Sequence, residues 1–392
     1  MPETCPAMPS MDALPFRDDR TGAWRLLRET GDVCVSDKGV YFLTGADAVE
    51  AAAKRPGLFS SEHAFAVLGS PLPLVPIAFD PPEHTRYRRM VDKFFSPRAM
   101  AAREPDLRKQ AGELIVGIRA AGDTCEVISE LAVPYPSQVF LTLFGLPLED
   151  RDRLIGWKDA ILQFADPESP EPTQEVLQQA AELFAYLSGH LAERREGSAD
   201  DLLSALLTDR DEGGLKDEEV LGLCFLFVIA GLDTVTAAVG FALNALAQNP
   251  DLRRELIEDP SRIPDFIEEL LRVDGPVPYV PRVTTDDTQV GNVTIPAGST
   301  CWLSFGAANR DPRRYQDADA LHATRENHFA FGRGPHRCLG SHLARMELRL
   351  IIEEWHKRIP EYSIRDGVEP QVLWPSGTLA LERLDLTIAG RD

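Results

Sequence analysis

The run at residues 331–340, F-G-R-G-P-H-R-C-L-G, constrains this chain more than any other segment. It places one cysteine, Cys338, in a loop interrupted by glycine and proline, and a stretch of helical periodicity at 341–358 follows at once. A thiolate in this position lies at a helix N-terminus, where unsatisfied backbone N–H groups and the positive end of the helix dipole stabilise it. The flanking pattern therefore favours a metal-binding thiolate over a buried, inert thiol.

The residues around Cys338 suit a flat ligand that carries negative charge. Glycines on both sides of the cysteine let the backbone approach such a ligand, and His336 and Arg337 can reach anionic groups beside it. A thiolate held in this way can be the axial ligand of haem iron, which favours O–O cleavage. The ten-residue pattern resembles the cysteine loop of the cytochrome P450 haem-thiolate monooxygenases.

Length, composition and charge narrow the class of protein. The chain has 392 residues, of which 44% are hydrophobic, so it can bury a large core. No linker divides it, and we expect one domain over residues 1–392. The formal net charge of −21 argues against nucleic-acid binding and predicts a soluble protein, which we expect to be a monomer.

Cysteine spacing and the N-terminus predict a cytoplasmic location. The six cysteines form no C-x-x-C pairs, so they resemble neither a disulfide framework nor a zinc site. The first residues contain no basic and no apolar segment, and we expect no signal peptide or membrane anchor. The most apolar run, 220–232, is too short to span a bilayer and is typical of a buried helix.

Helical periodicity dominates the chain, which predicts a mainly α fold with small β-sheets. A hairpin is predicted at 32–44, and short strands and turns are predicted at 280–304. The resemblance implies the cytochrome P450 fold, with haem between a long central helix and the cysteine loop with its helix. The predicted helices are 46–55, 83–95, 107–121, 137–144, 148–164, 174–195, 216–248, 263–273 and 341–358.

The long helix contains the sequence A-G-L-D-T at 230–234. Glycine and threonine lower helix propensity, and an aspartate in an apolar stretch is costly to bury, so a kink with a satisfied aspartate is one interpretation. The family carries an acid–alcohol pair in such a motif. The resemblance implies that Asp233 and Thr234 relay protons to bound oxygen and that Gly231 leaves space for a small molecule.

Glu269 and Arg272 stand at i and i+3 and share one face of a predicted helix. An ordinary surface ion pair would contribute little. The family has a Glu-x-x-Arg pair behind the haem, completed by a further arginine before the cysteine loop. The resemblance implies that Arg325 is this third residue and that the trio braces the loop.

Haem carries two propionates, which need cationic partners. His84 and Arg88 stand at i and i+4 on one helix face, and Arg282 follows Pro281 in a strand-like segment. Scattered surface cations are the alternative interpretation. The resemblance implies Cys338 as the ligand of haem b, with O2 as co-substrate. The residues expected to contact the cofactor are His84, Arg88, Arg282, His336, Gly231, Phe331 and Gly340.

A basic face on an acidic protein suggests an electron donor as partner. Residues 84–98 hold five lysines and arginines and one acid, and Arg333, Arg337 and Arg345 lie in the cysteine region. A solvated cationic face is the alternative. Only 54 residues follow Cys338, so we expect no fused flavin reductase. The resemblance, to soluble bacterial members, implies a ferredoxin and a ferredoxin reductase as electron donors.

The implied activity is insertion of one oxygen atom from O2 into a hydrophobic molecule, such as a terpenoid, steroid, fatty acid, aromatic compound or polyketide. The loop at 166–173 is a candidate lid. A peroxide-driven enzyme and a haem-based sensor or carrier are alternatives, although neither needs the acid–alcohol pair. Oxidative coupling and desaturation also remain open. The expected substrate contacts are Phe65, Leu68, Leu226, Ala230, Val277, Val280 and Thr378.

Overall fold

The computed structural model describes residues 5–164, 171–197, 201–208, 213–321 and 327–388, and within them the chain is mainly helical with three small sheets. The helices are α1 (Arg20–Thr30), α2 (Ala46–Ala53), α3 (Glu83–Asp92), α4 (Pro97–Ala121), α5 (Pro134–Phe144), α6 (Arg151–Phe164), α7 (Gln174–Glu196), α8 (Leu202–Thr208), α9 (Asp217–Gly231), α10 (Thr234–Gln248), α11 (Pro250–Glu258), α12 (Ile263–Val273), α13 (Phe305–Ala308) and α14 (Ser341–Arg358).

The strands lie in the N-terminal part of the chain, around 280–303 and near the C-terminal end of the described residues. They are β1 (Val33–Val35), β2 (Tyr41–Leu43), β3 (Phe59–Ser60), β4 (Thr124–Glu126), β5 (Val280–Thr284), β6 (Thr288–Val290), β7 (Val293–Ile295), β8 (Thr300–Leu303), β9 (Tyr362–Ile364) and β10 (Asp385–Ile388). The sheet orders are β1-β2-β8-β5-β3, β4-β10-β9 and β6-β7.

The hairpin predicted at 32–44 is confirmed as the antiparallel pair of β1 and β2, with Val33 opposite Leu43. Strand β2 also pairs in parallel with β8, and β5 pairs antiparallel with β8. Through these pairings the sheet fixes the position of β5, which carries Arg282, against the N-terminal hairpin. One of the predicted cofactor contacts is thus placed by long-range strand pairing.

The helix predicted as continuous over 216–248 is interrupted, and this prediction was wrong in detail. Helix α9 ends at Gly231 and α10 begins at Thr234. The hydroxyl of Thr234 donates to the carbonyl of Ala230 at 3.2 Å, and that of Thr236 donates to Leu232 at 2.9 Å. These side-chain bonds compete for helix carbonyls next to a glycine of low helix propensity, so the helix bends there.

Helices α9 and α10 form the centre of the fold. Phe225, Phe241 and Leu243 are buried completely or almost so. By length and composition the span Asp217–Gln248 is apolar enough to cross a membrane, but 67% of its most apolar window is buried inside the protein. Packing in the core therefore accounts for its apolar character. Helix α14 lies against α10, α12 and α4, which places the cysteine loop next to the break between α9 and α10.

Candidate functional site

A cavity of about 310 Å³ lies between the break in the central helices and the cysteine loop. Its wall joins segments that are distant in the sequence: α3, α5, α9, α10, the start of β5 and residues 330–348. Thr234 and Cys338 both line it, together with His84, Arg88 and His336. The structure therefore brings most of the predicted site residues to one place.

The cysteine loop is shaped by glycines that no other residue could replace without strain. Gly332 and Gly334 both have a φ of 68°, in the left-handed region. A Cβ on Gly334 would lie 2.2 Å from the carbonyl oxygen of Ala53, at the end of α2. The N–H of Cys338 donates to the carbonyl of Phe331 at 2.8 Å, which closes the loop just before α14.

Cys338 is exposed and faces the cavity, which sets it apart from the other cysteines. Surrounding protein raises the pKa of its thiol, while the backbone N–H of Gly340 and the guanidinium of Arg88 oppose this rise. The net effect is a raised pKa, and the N–H group and the cations limit how far burial disfavours the thiolate. Four other cysteines are buried, and burial raises their pKa to about 12; they are Cys34, Cys125, Cys224 and Cys301.

The tilted rings of His84 and His336 pack against each other at one side of the cavity, with ring centroids 4.2 Å apart. Burial and then Arg88 lower the pKa of His84 to about 4, and burial and then Arg282 lower that of His336 to about 2. Nε2 of His336 lies 3.1 Å from the hydroxyl of Ser61. We call His84, Arg88, Arg282 and His336 the cation cluster.

Two acids act on the cation cluster within the described residues. Oδ1 of Asp80 lies 3.8 Å from Nε2 of His336, and Asp92 pairs with Arg88 on the outer side of the cluster. Arg282 is 4% exposed, its Nη1 donates to the carbonyl of Pro281, and burial lowers its pKa to about 10. Basic groups that lower one another's pKa in this way are stabilised in their charged form when carboxylates bind beside them. The cluster therefore fits the two carboxylates of a haem.

The members of the cation cluster differ in their relation to the cavity. His84, Arg88 and His336 line it, whereas Arg282 does not line it and acts through its charge. Nη1 of Arg88 also donates to the carbonyl of Arg337 at 2.9 Å, and its Nη2 pairs with Asp92 at 2.9 Å. Arg88 thus links α3 directly to the cysteine loop. Gly231, Phe331 and Gly340 line the cavity as well.

The acid–alcohol pair at the break of the central helices is split by the structure. Thr234 lines the cavity, but Asp233 does not, and its Oδ1 lies 2.8 Å from Nζ of Lys158 on α6. Only Thr234 of the predicted pair thus lies on the cavity wall, and their joint action as a proton relay stays a prediction. An aspartate at this place needs a partner, because an unpaired charge beside apolar residues is costly. Lys158 was missed in the sequence because it is remote along the chain.

Space beside Gly231 is shared with a neighbouring helix. Gly231 lines the cavity, but a Cβ added there would also lie 3.4 Å from the ring of Phe140 on α5. Close packing of α5 therefore explains part of the need for glycine at this position. The prediction of free space for a small molecule covers only the side of Gly231 that faces the cavity.

Glu269 and Arg272 are fully buried, so they are not an ordinary surface pair. Nε and Nη2 of Arg272 donate to the Glu269 carboxylate at 2.8 and 2.7 Å. The same guanidinium donates to the carbonyls of Asn309 and Ala318, at 2.7 and 2.6 Å. The pair thus holds the segment that leads to the cysteine loop. Arg325, predicted as the third member, lies outside the described residues.

A second brace, which sequence reasoning missed, starts from the neighbouring Glu268. Its carboxylate accepts two bonds from Arg345 on α14, at 2.5 and 2.7 Å, and faces Nε2 of His328 at 3.1 Å. Burial raises its pKa, but Arg345 and His328 outweigh this and lower it to about 2. Arg345 also lies 4.3 Å over the Phe331 ring and is partly exposed, so its pairing with Glu268 reduces the charge that it can offer to a docking face, which stays a prediction.

Four of the predicted substrate contacts line the cavity: Leu226, Ala230, Val277 and Val280. Three others, Phe65, Leu68 and Thr378, are not among the described residues that line it. Phe65 and Leu68 pack instead against a neighbouring hydrophobic cluster. The candidate lid at 166–173 lies mostly outside the described residues. Further apolar side chains of the wall are Ile77, Phe140, Phe144, Phe227 and Phe305.

A cysteine that faces a largely apolar cavity, beside buried cations that suit two carboxylates, defines the site of a thiolate-ligated haem protein. Comparison with known proteins agrees: residues 33–355 match the family model described as Cytochrome P450. The chain belongs to the cytochrome P450 family and is a monooxygenase, an oxidoreductase with haem b as cofactor and O2 as co-substrate.

Relatives share most of their length with this chain. It is 38% identical over 307 residues to cytochrome P450 130 of Mycobacterium tuberculosis, covering 76% of this chain and 74% of that protein. It is 37% identical to the mycinamicin IV hydroxylase/epoxidase of Micromonospora griseorubida, covering 80% and 79%. A solved structure of a mutant of P450 EryK in complex with erythromycin B superposes with a TM-score of 0.88 at 30% identity, covering 98% of each chain.

Proposed function

We propose that this enzyme inserts one oxygen atom from O2 into a hydrophobic small molecule, with hydroxylation of a C–H bond as its main reaction. The observation that carries the proposal is the placement of Cys338 and the Thr234 hydroxyl on one cavity whose wall is otherwise largely apolar. Haem b, when bound, supplies the iron site at which O2 is reduced and cleaved. The residues of the chain would bind this centre, orient it and deliver protons to the cavity.

Binding of the cofactor is assigned to two parts of the site, Cys338 and the cation cluster. Cys338 would provide the thiolate, and the donors and cations around it oppose the rise in its pKa that burial causes. His84, Arg88 and His336, which line the cavity, would hold the propionates, and Arg282, which does not line it, would add charge to the cluster. Because these groups are buried, each charge-assisted bond to a carboxylate is stronger than it would be in water.

Proton delivery is assigned to Thr234, whose hydroxyl lines the cavity at the break between α9 and α10. The hydroxyl can release its bond to Ala230 and donate to a water in the cavity. Asp233 exchanges protons on the outer side of the break, where it is paired with Lys158. A swing of Asp233 between Lys158 and the backbone of the break connects the two sides.

The substrate is expected to be apolar or largely neutral. Phenylalanine, leucine, valine and isoleucine side chains dominate the wall between the helix break and β5. Relatives are named for action on mycinamicin IV or were crystallised with erythromycin B, which are substrates or ligands of those proteins. We propose a molecule of similar apolar character for this chain, without naming one compound.

Electrons are supplied by a ferredoxin and a ferredoxin reductase, and the enzyme works as a monomer in the cytoplasm. The support for a small acidic donor is the basic segment 84–98 beside the cysteine loop, on a chain of net charge −21. Arg86 pairs with Glu219 and Arg345 with Glu268, so the docking face is smaller than the sequence count indicates.

The proposal is tested by the visible spectrum of purified protein, oxidised and then reduced under carbon monoxide, with apolar and charged compounds titrated in. A strongly red-shifted carbon monoxide band and a spin-state shift with apolar compounds are expected. Turnover is then compared between ferredoxin with its reductase and hydrogen peroxide. Binding of charged compounds alone would overturn the substrate class, and peroxide turnover that equals ferredoxin turnover would favour a peroxide-driven enzyme.

A further inference from the structure

We infer that Trp24 and Trp374, bridged by Phe16, form an electron relay between the wall of the haem cavity and the protein surface. The relay supplies electrons to the haem when peroxide reaches it and no organic substrate is bound. It gives the protein a further activity, the reduction of hydrogen peroxide by a small one-electron reductant such as an enediol or a thiol. This activity requires bound haem, but neither the organic substrate nor the ferredoxin.

The inner end of the relay lies behind the cysteine loop. Phe305, the first residue of α13, lines the cavity, and a Cβ on Gly332 of the loop would lie 3.6 Å from its ring. The next residue is Gly306, and a Cβ there would lie 2.2 Å from Cζ2 of Trp24. Any larger residue at 306 would displace the indole, so glycine lets Trp24 pack against the backbone of the cavity wall.

Phe16 connects Trp24 to a second indole. Its ring centroid lies 4.5 Å from that of Trp24 and 4.4 Å from that of Trp374. A single aromatic ring therefore separates the two tryptophans, and electron tunnelling over such a short distance is fast. Tryptophan loses an electron much more readily than phenylalanine, so the two indoles carry the charge and Phe16 only bridges them.

The outer end of the relay lies just below the surface. Trp374 is 8% exposed, and its neighbour Leu373 is 46% exposed. Arg17, which follows Phe16, pairs with Glu382 at 2.8 Å, and these two side chains are 45% and 32% exposed. A small reductant can therefore approach Trp374, whereas Trp24, at 1% exposure, is closed to it.

The indole of Trp374 is a costly choice if its only role is packing. Its Nε1 atom is buried, and no group in the described part of the chain accepts a hydrogen bond from it. A buried donor of this kind costs about 1–3 kcal/mol, and a phenylalanine ring would avoid the cost. No protein group is placed to take the N–H proton, so an oxidised Trp374 keeps it and the relay transfers electrons alone.

The reaction balances without any change in the chain. Each molecule of hydrogen peroxide takes up two electrons and two protons in the cavity, its O–O bond breaks, and two molecules of water form. The electrons leave Trp24 one at a time, and each is replaced from Trp374. Each electron lost by Trp374 is replaced by the reductant, which releases one proton to solvent. The two protons released match the two consumed.

Freeze-quenched electron paramagnetic resonance of the haem-loaded, substrate-free protein mixed with hydrogen peroxide tests the inference. Ring-deuterated tryptophan identifies an indole radical, because deuterium narrows its hyperfine lines. We expect an indole signal in the native protein and its loss in Trp24→Phe. Ascorbate, as the reductant, should shorten the lifetime of the signal in the native protein but not in Trp374→Phe, where the outer link is missing.

Trp355→Phe is the matched control. Trp355 is completely buried and its Nε1 also lacks a partner among the residues described, but it lies near the end of α14 and does not line the cavity. Its replacement should leave the signal and the effect of ascorbate unchanged. The reduced carbon monoxide spectrum of each variant checks that haem is bound.

Three results would overturn the inference. They are the absence of an indole signal in the native protein, an unchanged signal in Trp24→Phe, and an equal effect of ascorbate in native protein and Trp374→Phe. The third comparison decides the matter even when Trp24→Phe fails to bind haem, because Trp374 lies close to the surface.

Discussion

Oδ1 of Asp233 lies 2.8 Å from Nζ of Lys158, and this ion pair joins the break between α9 and α10 to α6. Lys158 is almost completely buried and also contacts Asp159 at 2.6 Å. Burial lowers the pKa of Lys158, but Asp233 and Asp159 outweigh this and raise it above its ordinary value. The lysine is therefore charged at neutral pH, and it fixes the acid outside the cavity.

Replacement of Lys158 by methionine should destabilise the protein by about 1–3 kcal/mol. The loss is smaller than the ~3–5 kcal/mol typical of a fully buried pair, because Asp233 keeps some contact with solvent. Urea unfolding measures the change. The double variant Lys158→Met, Asp233→Asn should be more stable than the sum of the single losses predicts, and strict additivity would show that the pair contributes no coupling.

Removal of the Thr234 hydroxyl should uncouple electron transfer from product formation. In Thr234→Ala, protons reach the oxygen site less selectively, so more peroxide is released for each reducing equivalent consumed. Product and peroxide are quantified in the same reaction. Thr236→Ala is the matched control, since Thr236 makes the same kind of bond to a helix carbonyl but does not line the cavity. Equal coupling in native protein and Thr234→Ala would remove Thr234 from the relay.

Loss of the Cys338 sulfur should abolish thiolate ligation. Cys338→Ser is expected to lose the red-shifted carbon monoxide band, because a serine hydroxyl is a much poorer anionic ligand than a thiolate. The spectrum of the reduced protein under carbon monoxide measures this. Cys5→Ser changes a partly exposed cysteine elsewhere and should leave the band intact. A red-shifted band that survives in Cys338→Ser would mean that another residue binds the iron.

Glu268→Gln should weaken the hold on the cysteine loop without removing the ligand. The amide cannot accept both Arg345 bonds and face His328 as the carboxylate does, so α14 and the loop become less firmly joined. We expect a larger fraction of carbon monoxide complex without thiolate ligation after mild heating. Glu255→Gln, which breaks a surface pair with Arg262, is the control. Identical heat sensitivity in both variants would mean that Glu268 is not a brace.

Acid should destabilise the haem-free protein through His84. Its folded pKa of about 4 lies below the ordinary 6.5, so its contribution is present above pH 6.5 and is lost as pH falls toward 4. At pH 5 the loss attributable to this residue is at most about 2 kcal/mol. Urea unfolding at pH 7 and pH 5 should show a smaller difference in His84→Gln than in native protein.

The same comparison separates His84 from its neighbours. Arg88, Arg282 and His336 face it, and Asp80 opposes them, in both proteins. The contribution of Arg88, Arg282 and Asp80 therefore cancels when the two pH differences are subtracted, whereas that of His336 changes because His84 is one cause of its lowered pKa. His63→Gln changes an exposed histidine and should reproduce the native difference. If His84→Gln also reproduces it, His84 does not take up a proton on unfolding in this range.

Local sequence patterns were sufficient to predict the bounds of several helices. Helices α12 and α14 begin and end where the periodicity predicted, because their apolar faces are encoded within single segments. The start of α4 was placed ten residues too late, since Pro105 interrupts the helical pattern. The true start is set by Ser96, whose hydroxyl accepts from the N–H of Ala99.

The contacts that complete the site depend on tertiary structure. Lys158 and Asp233 are 75 positions apart, and nothing near either residue indicates the other. Glu268 was hidden beside Glu269, whose spacing to Arg272 already explained one acid in that helix. From the sequence alone Glu347 is a polar position on a surface helix, but in the structure it is buried on α14, which packs against α4. Each of these contacts depends on which helix faces pack against each other. A single sequence does not contain that information.

The bond from Arg88 to the carbonyl of Arg337 spans 249 positions along the chain. At 5–20 residues per second, a ribosome would make the second residue roughly 12–50 s after the first. The helix that carries His84 and Arg88 therefore leaves the ribosome long before Cys338 exists. A site that holds haem by both the α3 side chains and the thiolate can therefore form only after the cysteine has been translated.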